Sequence, residues 1–169
     1  TLPFEEASLT EPLACCIHSL ERGHISLSDD VVVIGGGIMG QFHIVLAKMQ
    51  GARVILSEVD EERRELGRKM GADITFNPLE TDPVEFIKGL TDGRGADVVF
   101  NTTAIPSVVG QAIAMCGKNG RMIQYISMHP DEPTALSPQL LHSSEIIISG
   151  SISPNNRDFF TANRLLSLG

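Results

Sequence analysis

Val31-Val32-Val33-Ile34-Gly35-Gly36-Gly37-Ile38-Met39-Gly40 decides the fold of this chain. Four β-branched apolar residues form a short buried strand and run straight into Gly-x-Gly-x-x-Gly. A helical pattern begins at once. Gly35 permits the sharp turn out of the strand. Gly37 removes the Cβ that would hold a pyrophosphate off the backbone, and Gly40 lets the new helix pack closely. The free N–H groups and partial positive charge of the helix start, at Ile38 and Met39, suit phosphate.

Outward from this loop the chain alternates strand and helix. A helix is expected to open at Thr10-Glu11-Pro12-Leu13 with Thr10 as cap, pack through Ala14, Ile17 and Leu20, and end at Gly23. Beyond the glycines, Ile38, Phe42, Val45, Leu46 and Met49 recur at spacings of three and four, a stripe expected to face the sheet. Strands are expected at 31–34, 53–58, 73–76, 96–101, 121–126 and 145–152. Intervening helices are capped by Asp60 and opened by Pro83 and Pro106, with a final helix at 157–168. This rhythm predicts an α/β fold: a doubly wound, six-stranded parallel sheet of the Rossmann type, with strand order 3-2-1-4-5-6. One domain is expected over 1–169, with a lead-in helix and connection (1–30), a βα core (31–152) and a return helix (153–169).

Composition narrows the partners. With 169 residues and a net charge of −8 spread along the chain, the surface disfavours nucleic acid and anionic membranes. No apolar run is long enough to span a bilayer, and no signal peptide is visible. Cys15, Cys16 and Cys116 make neither an even disulfide framework nor a Cys-x-x-Cys clamp, so reduced thiols in a cytoplasmic protein are expected. His18, His43 and His142 read as packing or surface residues. Ser143 and Ser144 lack a base and acid partner for hydrolase chemistry. The chain runs from Thr1 to Gly169 without recognisable natural termini, and is expected to be a piece of a longer polypeptide.

Glu58 stands at the end of the second strand, 18 positions after Gly40. A carboxylate there accepts hydrogen bonds from the adenosine ribose hydroxyls and repels a 2′-phosphate, favouring NAD over NADP. Arg63 and Arg64, close by, are the residues able to meet such a phosphate.

With these elements in place the chain resembles the medium-chain dehydrogenases, specifically the zinc-dependent alcohol, sorbitol and threonine dehydrogenase group. The resemblance is carried by Glu11-Pro12-Leu13-Ala14, the glycine loop, Met70-Gly71-Ala72-Asp73, Gly95-Ala96-Asp97-Val98-Val99-Phe100, Gly120-Arg121-Met122-Ile123 and Gly150-Ser151. It implies a zinc- and NAD-dependent oxidoreductase moving a hydride between NAD and a secondary alcohol or polyol, with a catalytic domain outside this chain. Glu58 then matches the ribose acid and Arg63 a basic residue at the adenine end. Thr103 and Ala104 match the crossover near the pyrophosphate, and Ile126 and Ser127 the segment facing the nicotinamide. Glu11 matches an acid at the catalytic zinc. Two departures are Glu58, where the family usually has Asp, and Gly36-Gly37-Ile38-Met39, where it commonly has Ala-Gly-Pro-Ile. The apolar sixth strand implies a homodimer through the sheet edge, possibly a tetramer. The competing readings are a zinc-independent quinone reductase and a non-catalytic NAD-sensing module.

Overall fold

The computed structural model describes residues 2–168. Its elements run α1 (Phe4–Ala7), α2 (Thr10–Gly23), β1 (Asp30–Ile34), α3 (Ile38–Met49), β2 (Arg53–Ser57), α4 (Glu61–Lys69) and β3 (Ile74–Phe76). Then come α5 (Pro83–Leu90), β4 (Ala96–Asn101), α6 (Pro106–Met115), β5 (Cys116–Gln124), α7 (Pro138–Ser144), β6 (Ile147–Gly150) and α8 (Asn156–Leu168). The six strands form one sheet in the order β3-β2-β1-β4-β5-β6, every pair parallel. This is the Rossmann arrangement that the βα rhythm implies.

Alternation along β1 explains the layering. Val31 and Val33 pack with Ile44, Leu56 and Phe100 on the face covered by α2, α3 and α8. Val32 and Ile34 pack with Ile87, Val99 and Met115 on the face covered by α5 and α6. Side chains of consecutive strand residues point to opposite faces, so a run of β-branched residues is what a sheet buried on both sides requires. Each fully buried Val or Ile contributes roughly 1.5–3 kcal/mol relative to exposure.

Two local expectations are corrected. Thr10 does not cap α2; it is the first helical residue, Leu9 is the N-cap, and no side chain caps that end. At the other end the helix stops at Gly23, as expected, and His24 beyond it adopts the left-handed conformation (φ 44°). Gly23 is required for space: a Cβ there would lie 2.7 Å from Cζ of Phe100.

The second correction concerns α3. The residues buried along it are Gly40, Gln41, His43, Ile44, Leu46 and Ala47, while Ile38 and Met49 are exposed. The stripe Ile38, Phe42, Val45, Leu46 and Met49 lines an open groove of about 930 Å³, shared with Leu13 of α2 and Leu165 of α8. A helix apolar almost all round presents two apolar faces, and the sheet takes the smaller side chains because they allow a closer approach.

His43 is the polar member of this packed face. Its Nδ1 donates to the Met39 carbonyl at 2.7 Å, which leaves Nε2 to accept from the Ser19 hydroxyl at 3.0 Å. The ring is fully buried and packs against Phe100 and Tyr125. Burial disfavours the charged imidazolium and lowers its pKa from 6.5 to about 4, with the bond to Met39 opposing this. Between pH 6.5 and 4 the unfolded chain therefore takes up a proton that the folded chain refuses, so stability falls as pH drops through that window. We expect a loss on the order of 3 kcal/mol by pH 4 from this residue. Urea unfolding at pH 7 and pH 4.5 should show it in the wild type but not in His43→Gln; equal pH dependence in the two proteins would refute the assignment.

Candidate cofactor site

Parallel pairing aligns the carboxyl ends of the strands. Ile34 stands opposite Ser57 and Asn101, Asn101 opposite Gln124, and Gln124 opposite Gly150. The residues following each strand therefore share one edge of the sheet, where order reverses between β1 and β4 and a crevice opens. Gly35 to Gly40, Glu58, Thr103, Ala104, Ile126 and Ser127 all lie on this edge.

The glycine loop is held by two demands of geometry. Gly35 has φ +98°, a conformation in which L side chains are strained. Gly40 sits in the first turn of α3, where a Cβ would lie 1.9 Å from the carbonyl oxygen of Gly35. Thr102 fastens the same corner, its Oγ1 donating to the Ile34 carbonyl at 2.8 Å. At Gly37, by contrast, a Cβ would meet nothing within 4 Å. Gly37 is also the N-cap of α3, and no side chain caps that end. The first N–H groups of the helix, from Ile38, Met39 and Gly40, face that open space with the positive end of the helix dipole behind them. Such a cradle fits a pyrophosphate.

Glu58 binds this loop directly. Its Oε2 accepts from the Gly36 N–H at 2.6 Å and its Oε1 from the Asp60 N–H at 2.9 Å. The carboxylate is buried, so it serves both the loop and the entry to α4, while Asp60 caps that helix through the Arg63 N–H. Each carboxylate oxygen retains acceptor capacity for a ribose hydroxyl. Arg63 lies with Nη1 3.9 Å from Glu58 and is mostly exposed. Arg64 is not available to a ligand: it is buried, donating to the Glu58 and Val59 carbonyls and paired with Glu61.

Several residues at this edge escaped the motif reading. Gln41 ties the loop to α4, its Nε2 donating to the Gly36 carbonyl at 2.9 Å and the Arg63 carbonyl at 3.2 Å. Asn101 Oδ1 accepts from both the N–H and the hydroxyl of Thr103, and its Nδ2 donates to Gln124. Gln124 in turn donates to the Ile126 carbonyl at 2.8 Å. This chain of amides positions the backbone at Thr103 and Ile126. The only signal for it is an amide side chain at the last residue of each of two consecutive strands.

At the far end a cavity of about 540 Å³ gathers Cys15, Tyr125, Ile126, Ser127, Gly150 and Ser151. Glu11 is one helical turn before Cys15 and accepts a hydrogen bond from its Sγ at 3.2 Å. Burial and the Glu11 carboxylate push the Cys15 thiol up to about 11. Among the described residues, no set of three metal-ligating side chains forms around Glu11. A zinc ion held by Glu11 would therefore need further ligands from outside the described residues.

Comparison with known proteins agrees with this geometry. Residues 39–167 match a family model described as zinc-binding dehydrogenase. The chain is 31% identical over 171 aligned residues to D-arabitol-phosphate dehydrogenase of Enterococcus avium, covering 99% of this chain and 48% of that protein. It is 39% identical over 125 residues to erythritol/L-threitol dehydrogenase of Mycolicibacterium smegmatis, covering 73% and 34%. Among solved structures, a zinc-binding dehydrogenase from Sinorhizobium meliloti bound to NADP superimposes with a TM-score of 0.91 at 26% identity, over 98% of this chain and 51% of that one. The chain thus spans about half or less of the length of these relatives.

Gly40→Ala tests the loop. Its methyl group would strike backbone rather than a movable side chain, so α3 must shift away from the β1 corner. We expect a loss of stability of at least about 2 kcal/mol by urea unfolding, whereas Gly37→Ala leaves stability within about 1 kcal/mol of wild type.

Proposed function

Because the chain belongs to the zinc-binding dehydrogenase family, we propose that it is the dinucleotide-binding part of an NAD-dependent dehydrogenase acting on a secondary alcohol or polyol. The observation that carries this reading is the Glu58 carboxylate bonded to the Gly36 N–H beside the open cradle at Gly37. An adenosine ribose placed there meets a buried anion, which accepts its hydroxyl protons and repels a 2′-phosphate. Arg63, mostly exposed at the rim, stacks or pairs at the adenine end. One relative of this fold is bound to NADP; the buried Glu58 carboxylate supports NAD for this chain.

Along the crevice, Thr103 and Ala104 approach the pyrophosphate and nicotinamide ribose, while Ile126 and Ser127 line the nicotinamide pocket. A nicotinamide held there would supply hydride acceptance, and a zinc ion held in part by Glu11 would supply polarisation of the alcohol oxygen. Glu11 would offer one carboxylate to that zinc, with the remaining ligands supplied from outside the described residues. Relatives acting on arabitol phosphate, erythritol and threitol support a polyol substrate. The Glu11 motif sets this reading above a quinone reductase or an NAD-sensing module, neither of which uses a metal-binding acid. No helix among the described residues is long and apolar enough to cross a membrane, which accords with a cytoplasmic enzyme.

β6 supports self-association. It pairs with β5 on one side alone, and Ile147, Ile148 and Ile152 are exposed at 55%, 38% and 87%. A second copy pairing edge to edge would cover them and give a homodimer, with a tetramer as its further assembly.

Two measurements test these statements. NADH fluorescence titration of the full-length protein should show NADH bound more tightly than NADPH. Glu58→Gln should weaken NADH by roughly tenfold to a hundredfold, the worth of hydrogen bonds to a charged group, and narrow the preference. Unchanged NADH affinity would refute the role of Glu58. Equilibrium sedimentation should give a dimer at micromolar concentration and a monomer for Ile148→Lys; a monomeric wild type would remove the edge-pairing reading.

A further inference from the structure

A second cluster of ligating side chains lies away from the crevice, where α8 crosses α2. His18 and Glu21 project from α2, one turn apart, and Asp158 is the third residue of α8. One ligating atom from each lies within 4.8 Å of the other two. Nδ1 of His18 is 3.0 Å from Oδ2 of Asp158.

Asp158 is the unusual member. Its side chain is wholly buried, at 0% exposure. Oδ2 accepts from the Asn155 N–H at 2.8 Å while the Asn155 side chain accepts from the Asp158 N–H at 3.1 Å, a reciprocal cap on α8. Among the described residues, Oδ1 has no hydrogen-bond partner. A buried carboxylate left half unsatisfied costs free energy that capping alone does not offset, and His18 reaches the oxygen that is already occupied. Capping therefore accounts for Oδ2 and leaves Oδ1 without a role.

We propose that His18, Glu21 and Asp158 form a binding site for a divalent transition-metal ion, with zinc as the best match. One imidazole nitrogen and two carboxylates make an N/O donor set suited to zinc. Oδ1 of Asp158, the oxygen without a partner, is the one free to take the metal, and Oδ2 of the same carboxylate keeps His18 Nδ1 3.0 Å away. On binding, Nδ1 coordinates through its lone pair and its proton moves to Nε2 or to solvent, so the hydrogen bond to Asp158 is exchanged for two metal bonds. Asp158 supplies the buried anion. His18, 16% exposed, and Glu21, 46% exposed, leave an entry from solvent. Arg157, 3.9 Å from Glu21 and largely exposed, would have to give up that contact for the metal to enter. The ion then clips the first helix of the fold to the last.

The site is separate from Glu11, which stands seven residues earlier on α2, about 10 Å along the helix axis. It does not rest on the catalytic reading, and the variants keep the two apart. Metal content of the full-length protein, equilibrated with zinc and gel-filtered, should fall by one equivalent in Glu21→Gln and in His18→Ala. The zinc concentration for half-saturation of that equivalent in calorimetric titration should rise at least about tenfold in Glu21→Gln, a solvent-facing change that preserves the fold. Glu11→Gln should leave this equivalent in place, and NAD-dependent turnover should persist in Glu21→Gln. Cobalt substituted at the site should show a visible band that disappears with His18→Ala. Unchanged metal content and affinity in Glu21→Gln would overturn the proposal, leaving His18–Asp158 as a hydrogen-bonded pair and nothing more.

Discussion

The first turn of α3 rests on the carbonyl of Gly35 at a distance no side chain permits. Everything near the crevice follows from that contact. It fixes where α3 begins, so the helix dipole points at the loop, and it fixes how far α3 stands from the sheet. Through α3 it also sets which residues can lie beneath the helix: Gly40 and Ala47, Ile44 and Leu46, Gln41, and one neutral histidine tied to Met39 and Ser19. A larger residue at Gly40 would act on all of these at once, because packed interiors transmit displacement rather than absorb it.

The fold was largely legible in the sequence because its signals were redundant. Val31 to Gly40 specified a strand, a turn and a helix together, and the later strands were each bounded by Gly, Pro or Asp. Where one signal stood alone, it misled. Thr10 is a good cap residue, yet the helix start is set by Leu9 and the preceding turn, which carry no capping chemistry to read. The stripe on α3 has helical spacing, but spacing reports that a face is apolar and not what it meets. With Gly40, His43 and Ala47 on one side and Phe42, Val45 and Met49 on the other, only the close approach to Gly35 decides which side the sheet receives.

The candidate site divides in the same way. Its backbone parts were legible, since glycine spacing and strand ends are local. Its side-chain network was not. Asn101 read as the end of one strand and Gln124 as the interior of the next, and their mutual hydrogen bond appears only once β4 and β5 are in register. Arg64 looked like a possible phosphate ligand until its guanidinium was seen turned to the Glu58 and Val59 carbonyls. Asp158 was unreadable for a stronger reason. Its partner His18 is 140 residues away in sequence, and neither belongs to a motif.

The bond between Glu58 and the Gly36 N–H has a consequence for how a ligand would be received. The acid and the loop are already joined before any ligand arrives, and Gln41 holds the loop from the other side. The loss of rotamer and backbone freedom at this corner is thus incurred when the chain folds rather than when a small molecule docks. Such preorganisation favours recognition of shape over adjustment to it. A ligand fitting the corner as it stands is held with little further ordering, while one needing the carboxylate to swing aside must first break two buried hydrogen bonds.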